Sequence, residues 1–235
     1  CWARAYIVVD QSTGKRIVFL TADIACLFQS HHMGLMPKLR KRFGALYTER
    51  NVNLNATHTH ASCGGTAWDY AYSLAAYGFK KNSYQAELDG LFNAIVRAHE
   101  NLAPGSIGLG RSELHNASAN RSKVAFDLNP RADRRHFPHA IDPAVTVLRF
   151  RQGAKDVGAI TWFSTHGTSL TDKNHLIAGD NKGYASYRWE RDEPGIVAAF
   201  PQTNSGDMTP NLKLRKMRPS GPTDDNRLNC AIIGE

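Results

Sequence analysis

An α/β fold, with mixed β-sheet layers flanked by helices, is predicted for this chain by three observations. β-Branched and aromatic runs alternate with segments of helical spacing along the whole length, which argues for strands layered with helices rather than a sandwich of strands alone. One long segment carries a sustained helical apolar repeat. Two histidine-bearing segments each follow directly on a strand-like run, the place where open α/β sheets collect ligands. The chain has 235 residues and 42% hydrophobic content, enough to bury a sizeable core, and shows no internal repeat.

The elements follow in order. Residues 6–10 and 16–22 are rich in strand formers, and Ser12-Thr13-Gly14-Lys15 between them supplies turn chemistry, so they read as a hairpin. Leu35, Leu39 and Phe43 give residues 32–43 helical spacing, and residues 51–56 then alternate polar with apolar as a strand does. The clearest helix is 83–101, where Leu88, Leu91, Phe92, Ile95 and Val96 form one apolar stripe; Asn82 with Gln85 resembles a capping box, and Pro104-Gly105 ends the segment. Strand-like runs recur at 107–109, 145–150, 157–163 and 196–200, with a helix at 183–191 between the last two. Residues 116–142 are dense in Arg, Asn, Pro and His without periodicity and read as a long loop, a kind of segment that tends to carry function.

Charge and cysteine usage narrow the function classes. A net charge of +8 favours anionic surfaces, and Lys38, Arg40, Lys41 and Arg42 form either a local basic patch or a solvated helix face. No aromatics interleave those cations as a stacking platform for bases requires, so no nucleic-acid partner is expected. There is no run of eighteen or more apolar residues of the kind a membrane-spanning helix needs. Cys1, Cys26, Cys63 and Cys230 match no zinc-knuckle spacing, and Cys26, within an apolar stretch, is expected to be a buried inert thiol. The opening Cys1-Trp2-Ala3-Arg4 has neither an initiator methionine nor a leader, and the end at Glu235 follows an apolar stretch; the expectation is a chain cut at both ends from a longer protein.

Chemistry concentrates in three segments. Ala56-Thr57-His58-Thr59-His60 and Trp162-Phe163-Ser164-Thr165-His166-Gly167 both present histidine after a strand, and on an extended chain His58 and His60 share a face. Neutral imidazole is a ready zinc ligand, although H-x-H spacing alone also suits ordinary half-buried histidines. Gly64-Gly65 and Gly167 are expected to let backbone approach a ligand closely. The third segment, residues 202–211, gathers hydroxyls, amides and the acid Asp207 after a strand; it reads as a turn or as a loop holding Thr209 or Ser205 for nucleophilic attack or substrate binding.

Taken in this order, the segments resemble the neutral/alkaline ceramidase family over nearly the whole chain. The family's ATHTHSGPGG stretch stands here as Ala56-Thr57-His58-Thr59-His60-Ala61-Ser62-Cys63-Gly64-Gly65, and its NRS as Asn120-Arg121-Ser122. WFATHGTSM is matched by residues 162–170, GDNKGYA by 179–185, and GDVSPN by Gly206-Asp207-Met208-Thr209-Pro210-Asn211. The resemblance implies an amino-terminal portion, residues 1–235, of a zinc-dependent amidase catalytic domain, with the zinc site at the carboxyl ends of strands. It implies that His58 and His166 are zinc ligands, that His60 and Arg121 line the scissile amide, and that Thr209 stands where the family has serine, as nucleophile or substrate-binding hydroxyl. A glutamate and a tyrosine completing the zinc shell are expected beyond Glu235.

The implied reaction is hydrolysis of a ceramide-like lipid to a sphingoid base and a fatty acid, zinc making a water nucleophilic, Arg121 stabilising the carbonyl oxygen and His60 passing a proton to the departing amine. Asp207 is expected to orient its loop. The implied location is secreted or membrane-associated, with peripheral contact to anionic membranes. This sequence departs from the family at Ala61-Ser62-Cys63, at Thr209 and in a short connection at Glu193-Pro194-Gly195. The first departure favours an alternative, a metal-dependent hydrolase of another acyl amide or ester; the positive charge favours another, an inactive fragment that binds lipid surfaces.

Overall fold

The computed structural model describes residues 1–214, 221–223 and 225–235. Strands β1 (Ala3–Val9) and β2 (Arg16–Ala22) form the expected antiparallel hairpin, with Ala3 opposite Ala22 and Val9 opposite Arg16. The Asp10 carboxylate accepts hydrogen bonds from Ser12 and Thr13 and so closes the turn. Helix α1 (Gln29–Phe43) then carries the chain across, and β3 (Val52–Ala56) returns parallel to β2, as a parallel pair requires of its connection. α1 begins at Gln29 rather than at 32 because His31 supplies the cap, its Nδ1 accepting from Phe28 N at 3.0 Å. A histidine in that role is not among the usual starting signals.

After the short α2 (Tyr70–Ser73), helix α3 (Lys81–Glu100) lays the predicted stripe of Leu88, Leu91 and Ile95 against Val18, Leu20 and Ala22 of β2 and Leu35 and Leu39 of α1. Full burial of each such side chain contributes about 1.5–3 kcal/mol. The expected capping box is absent. Lys80 N donates to Gly65 O at 2.7 Å, so a tertiary contact fixes the start at Lys81, and Gln85 bonds Asp89 instead.

The second half contributes β4 (Ser106–Glu113), β5 (Ala119–Asn120), α4 (Lys123–Asp127), α5 (Arg131–Arg134), β6 (Ala144–Gln152), β7 (Lys155–Phe163), α6 (Asp180–Asp192), β8 (Val197–Ala199), β9 (Met208–Thr209) and α7 (Asn226–Gly234). The strands make three sheets, ordered β1-β2-β3, β4-β6-β7-β8 and β5-β9, the first two mixed. The two larger sheets meet through Tyr6, Phe19, Phe150, Ile160 and Trp162. Tyr6 stacks on Phe150, and its hydroxyl lies 2.9 and 2.8 Å from the carbonyls of Ala159 and Val197. Buried Arg4 adds an ionic tie, bonding Asp23 at the end of β2 and Glu190 on α6.

Other parts of the chain also depart from the sequence reading. The stretch 116–142 contains β5, α4 and α5, ordered by Asn120, whose amide nitrogen bonds Ala140 O and the Asp207 carboxylate. Order imposed by such side-chain contacts leaves no periodic signature. Cys26 is exposed, not buried, because the chain from Ile24 onward has left the sheet. Helix α7 was not anticipated, although Asp225 caps it by accepting from Arg227 N and Leu228 N.

Candidate active site

The two parallel crossovers bring their carboxyl ends together. Beyond β3 and β7 the chain continues as two stitched segments: Thr59 bridges Gly167, His60 N donates to Gly167 O at 3.0 Å, Phe163 bridges Gln202, and Gln202 N donates to Ala56 O at 2.9 Å. This close approach demands a glycine at 167, since a Cβ there would stand 2.6 Å from His58 O and 2.8 Å from Thr59 Cα. Gly167 therefore lets backbone meet backbone, not a ligand as the sequence suggested. Gly65 does the same against Gly78 O.

His58, His60 and His166 converge, each offering a nitrogen within 4.8 Å of the others. His58 Nε2 lies 3.1 Å from His166 Nε2 and 3.3 Å from His60 Nε2. The convergence of His58 and His60 does not come from strand alternation, because His58 already lies outside β3 with a φ of +63°. The bend is imposed from outside: His58 N donates to Ile24 O, and its Nδ1 lies 2.8 Å from Ala25 O. His166 is held likewise, with Nδ1 2.6 Å from Ser205 O and 3.2 Å from Met208 O.

Those carbonyls fix the tautomers, because a carbonyl only accepts, so both Nδ1 atoms carry the proton and both Nε2 lone pairs face inward. Two lone pairs at 3.1 Å repel, and a cation between them reverses the sign. Nitrogen ligands of a tetrahedral zinc, at about 2.0–2.1 Å from the ion, stand roughly 3.3 Å apart. The observed separations, and the carbonyls that hold the far side of each ring, therefore fit a metal ion of zinc's size and ligand preference. His60 differs in being only partly buried, with the rest of the residue open to solvent. Burial of its ring, with His58, His166 and Arg121 acting in the same direction, lowers its pKa to about 4, and burial lowers His166 as well.

Arg121 is brought alongside, exposed, with Nε and Nη2 donating to Gly206 O at 3.1 and 2.7 Å. Its backbone N donates to Asp207 O, while the Asp207 carboxylate accepts from Asn120, so Asp207 shapes the loop that holds the arginine. Thr209 is placed differently. It is buried in β9 opposite Ala119, and its Oγ1 accepts from Asn211 N at 3.2 Å, with no hydrogen bond to the three imidazoles.

Sequence reasoning gave no role to a buried polar layer beneath His166. Asn181 donates to His166 O at 2.9 Å and to Ser169 Oγ at 3.0 Å. The Asp180 carboxylate, whose pKa burial raises, accepts from Ser169 N and Leu170 N, and Asp180 itself has a φ of +54°. Lys182 donates to the Gln202 side chain, which in turn donates to Thr165 O; burial pushes the lysine down to about 7, with Asp180 opposing. The signal lay in three consecutive polar residues, Asp180-Asn181-Lys182, at a helix start.

The whole chain, residues 1–235, matches the sequence family described as neutral/alkaline non-lysosomal ceramidase, N-terminal. It is similar to the neutral ceramidase of Pseudomonas aeruginosa, at 41% identity over 99% of this chain and 35% of that protein. The neutral ceramidase of Mycobacterium tuberculosis is 40% identical over 94% of this chain and 36% of that protein. Among solved structures, that of the Pseudomonas aeruginosa neutral ceramidase superposes with a TM-score of 0.92 at 42% identity, over 99% of this chain and 37% of that one. A structure described as ceramidase complexed with C2 gives 0.93 at 41% identity, over 99% and 36%. The chain spans about a third of the length of the curated relatives it matches.

Proposed function

This chain belongs to the neutral/alkaline non-lysosomal ceramidase family, and we propose that it contributes His58 and His166 to a zinc site for hydrolysing the N-acyl amide bond of a ceramide-like lipid. The observation that carries this reading is the inward pairing of two Nε2 lone pairs whose tautomers backbone carbonyls fix. When bound, zinc supplies Lewis acidity at the scissile amide. A catalytic zinc takes three or so protein ligands, so His58 and His166 supply part of its shell.

The chain's other residues divide the remaining work. No backbone carbonyl fixes the His60 ring among the described hydrogen bonds, and its lowered pKa keeps the ring neutral, with a lone pair to take the attacking water's proton and pass it to the departing sphingoid amine. Arg121, two of its nitrogens anchored on Gly206 O, keeps Nη1 for the carbonyl oxygen as negative charge develops there. Thr209, committed to its turn, supports a substrate-binding hydroxyl better than a nucleophile, because its Oγ1 already accepts a hydrogen bond and threonine's β-branch restricts rotation. Secretion or peripheral contact with anionic membranes forms part of the same proposal.

One observation favours a second reading, hydrolysis of a different acyl amide or ester. Ser62 Oγ accepts from Ala25 N at 3.0 Å, and Ala25 O holds His58, so the divergent Ala61-Ser62-Cys63 loop is wired directly to a candidate ligand. Assaying ceramide beside short acyl amides and esters separates the two. For the zinc itself, His58→Ala and His166→Ala should each remove the metal from elemental analysis and lower amidase activity at least about hundredfold. Zinc content and activity unchanged in both variants would refute the assignment.

A further inference from the structure

Residues 66–79 form a lobe that is built inside out. Its ends are tied together, Lys80 N donating to Gly65 O at 2.7 Å, and Ser30 Oγ donates to Thr66 O at 3.0 Å. Its interior is small and polar: Ser73 Oγ donates to Ala67 O, Gly78 N donates to Ser73 O, and Thr66, Ala67 and Ser73 are buried. The large side chains remain exposed, Tyr77 94%, Tyr70 76%, Tyr72 68% and Trp68 50%, with Tyr72 packing against Phe28 and Trp68 against Tyr84. A compact loop with joined ends is a frequent functional device, and several large apolar side chains exposed together on one loop point to an interaction site.

We propose that this lobe is the element by which the protein sits on a lipid bilayer, its tyrosines and Trp68 at headgroup depth and Lys80 and Lys81 against anionic headgroups. Residue type supports lipid as the occupant, because tyrosine and tryptophan have an apolar body and a polar tip and settle where hydrocarbon meets water. Charge agrees. Lys80 and Lys81 stand exposed at the end of the lobe, while the exposed Asp69 lies within it between Trp68 and Tyr70, so from Ala61 to Ala86 the net charge is positive by one and the cations are at the edge of the aromatic patch.

The lobe also borders a cavity of about 270 Å³, to which it contributes Tyr72, Ala75 and Ala76 and which Ala25, Cys26, Phe28 and the acidic Glu87 also line. Ala25 is the residue whose carbonyl fixes His58, so the bilayer-facing surface and the histidine cluster share a wall. A second cavity, of about 210 Å³, adjoins it at Ile24 and Cys63 and opens beside the exposed Trp2 and Ile177. The choice of lipid over a protein partner rests on the proposed lipid substrate.

Vesicle sedimentation tests the proposal on the protein at its full natural length, with phosphatidylcholine vesicles alone or mixed with phosphatidylglycerol. The wild type should favour the anionic vesicles and lose binding at high salt. Tyr70→Ser with Tyr77→Asn, an exposed pair whose second change suits the left-handed backbone at 77, should lower partition at least about tenfold. Lys80→Gln with Lys81→Gln should remove about tenfold from the anionic vesicles only. Bromine-labelled lipid should quench a tryptophan signal that disappears in Trp68→Phe.

Equal partition of the wild type and the tyrosine variant, or no quenching at Trp68, would overturn the proposal in favour of burial of the lobe against protein. Partition does not depend on catalysis. Lobe-dependent binding without amidase activity would therefore support the docking surface while sinking the proposed function, and hydrolysis of soluble short-acyl ceramide without lobe-dependent binding would do the reverse.

Discussion

At the scale of single residues, the site depends on groups that do no chemistry. Gly167 is the sharpest case, because a methyl there would overlap backbone atoms of His58 and Thr59, which have no rotamer to yield. Gly167→Ala should destabilise the protein by about 1–3 kcal/mol in a denaturant titration and should weaken retention of the proposed zinc, since His60 N and Gly167 O would part. Asn181 acts from below. Asn181→Leu keeps much of the volume but leaves His166 O and Ser169 Oγ without their donor, at a cost of about 1–3 kcal/mol by the same measurement. The histidines and Arg121 were legible as residue types in sequence context. The carbonyls of Ala25 and Ser205 that orient them were not, because every residue has a carbonyl and only the fold decides which ones face an imidazole.

At the scale of elements, periodicity was informative wherever one face of a segment is buried against another. α3 shows this well: its stripe was visible because Leu88, Leu91 and Ile95 all face the same sheet. Leu91→Ala should cost about 2–5 kcal/mol, whereas Leu109→Ala on the exposed strand β4 should stay within about 0.5 kcal/mol, both read from thermal or denaturant unfolding. Boundaries were less legible. The starts of α1 and α3 are set by His31 and by the Lys80–Gly65 contact, neither of which follows the usual capping rules. The stretch 116–142 looked structureless because β5, α4 and α5 are short and Asn120 orders them through long-range contacts.

For the molecule as a whole, Lys182 links stability to pH. Its pKa is about 7 when folded against an ordinary 10.5, so below pH 7 the lysine is charged in both states and the folded protein bears the full cost of burying it. Between about 7 and 10.5 the unfolded chain binds a proton that the folded chain does not, and stability rises with pH. Relative to Lys182→Met, the wild type should gain of the order of a few kcal/mol between pH 6 and pH 10, read as the difference in denaturation midpoint. Sequence alone determined the alternation of strands and helices, the main apolar stripe and the three segments in which chemistry concentrates. These rest on local spacing and residue type, which the chain carries wherever it goes. Only the tertiary structure decided that His58, His60 and His166 meet, which tautomers His58 and His166 adopt, and that an aromatic lobe stands outward beside them. Each of those depends on contacts between residues far apart in the chain, set by two crossovers that end side by side.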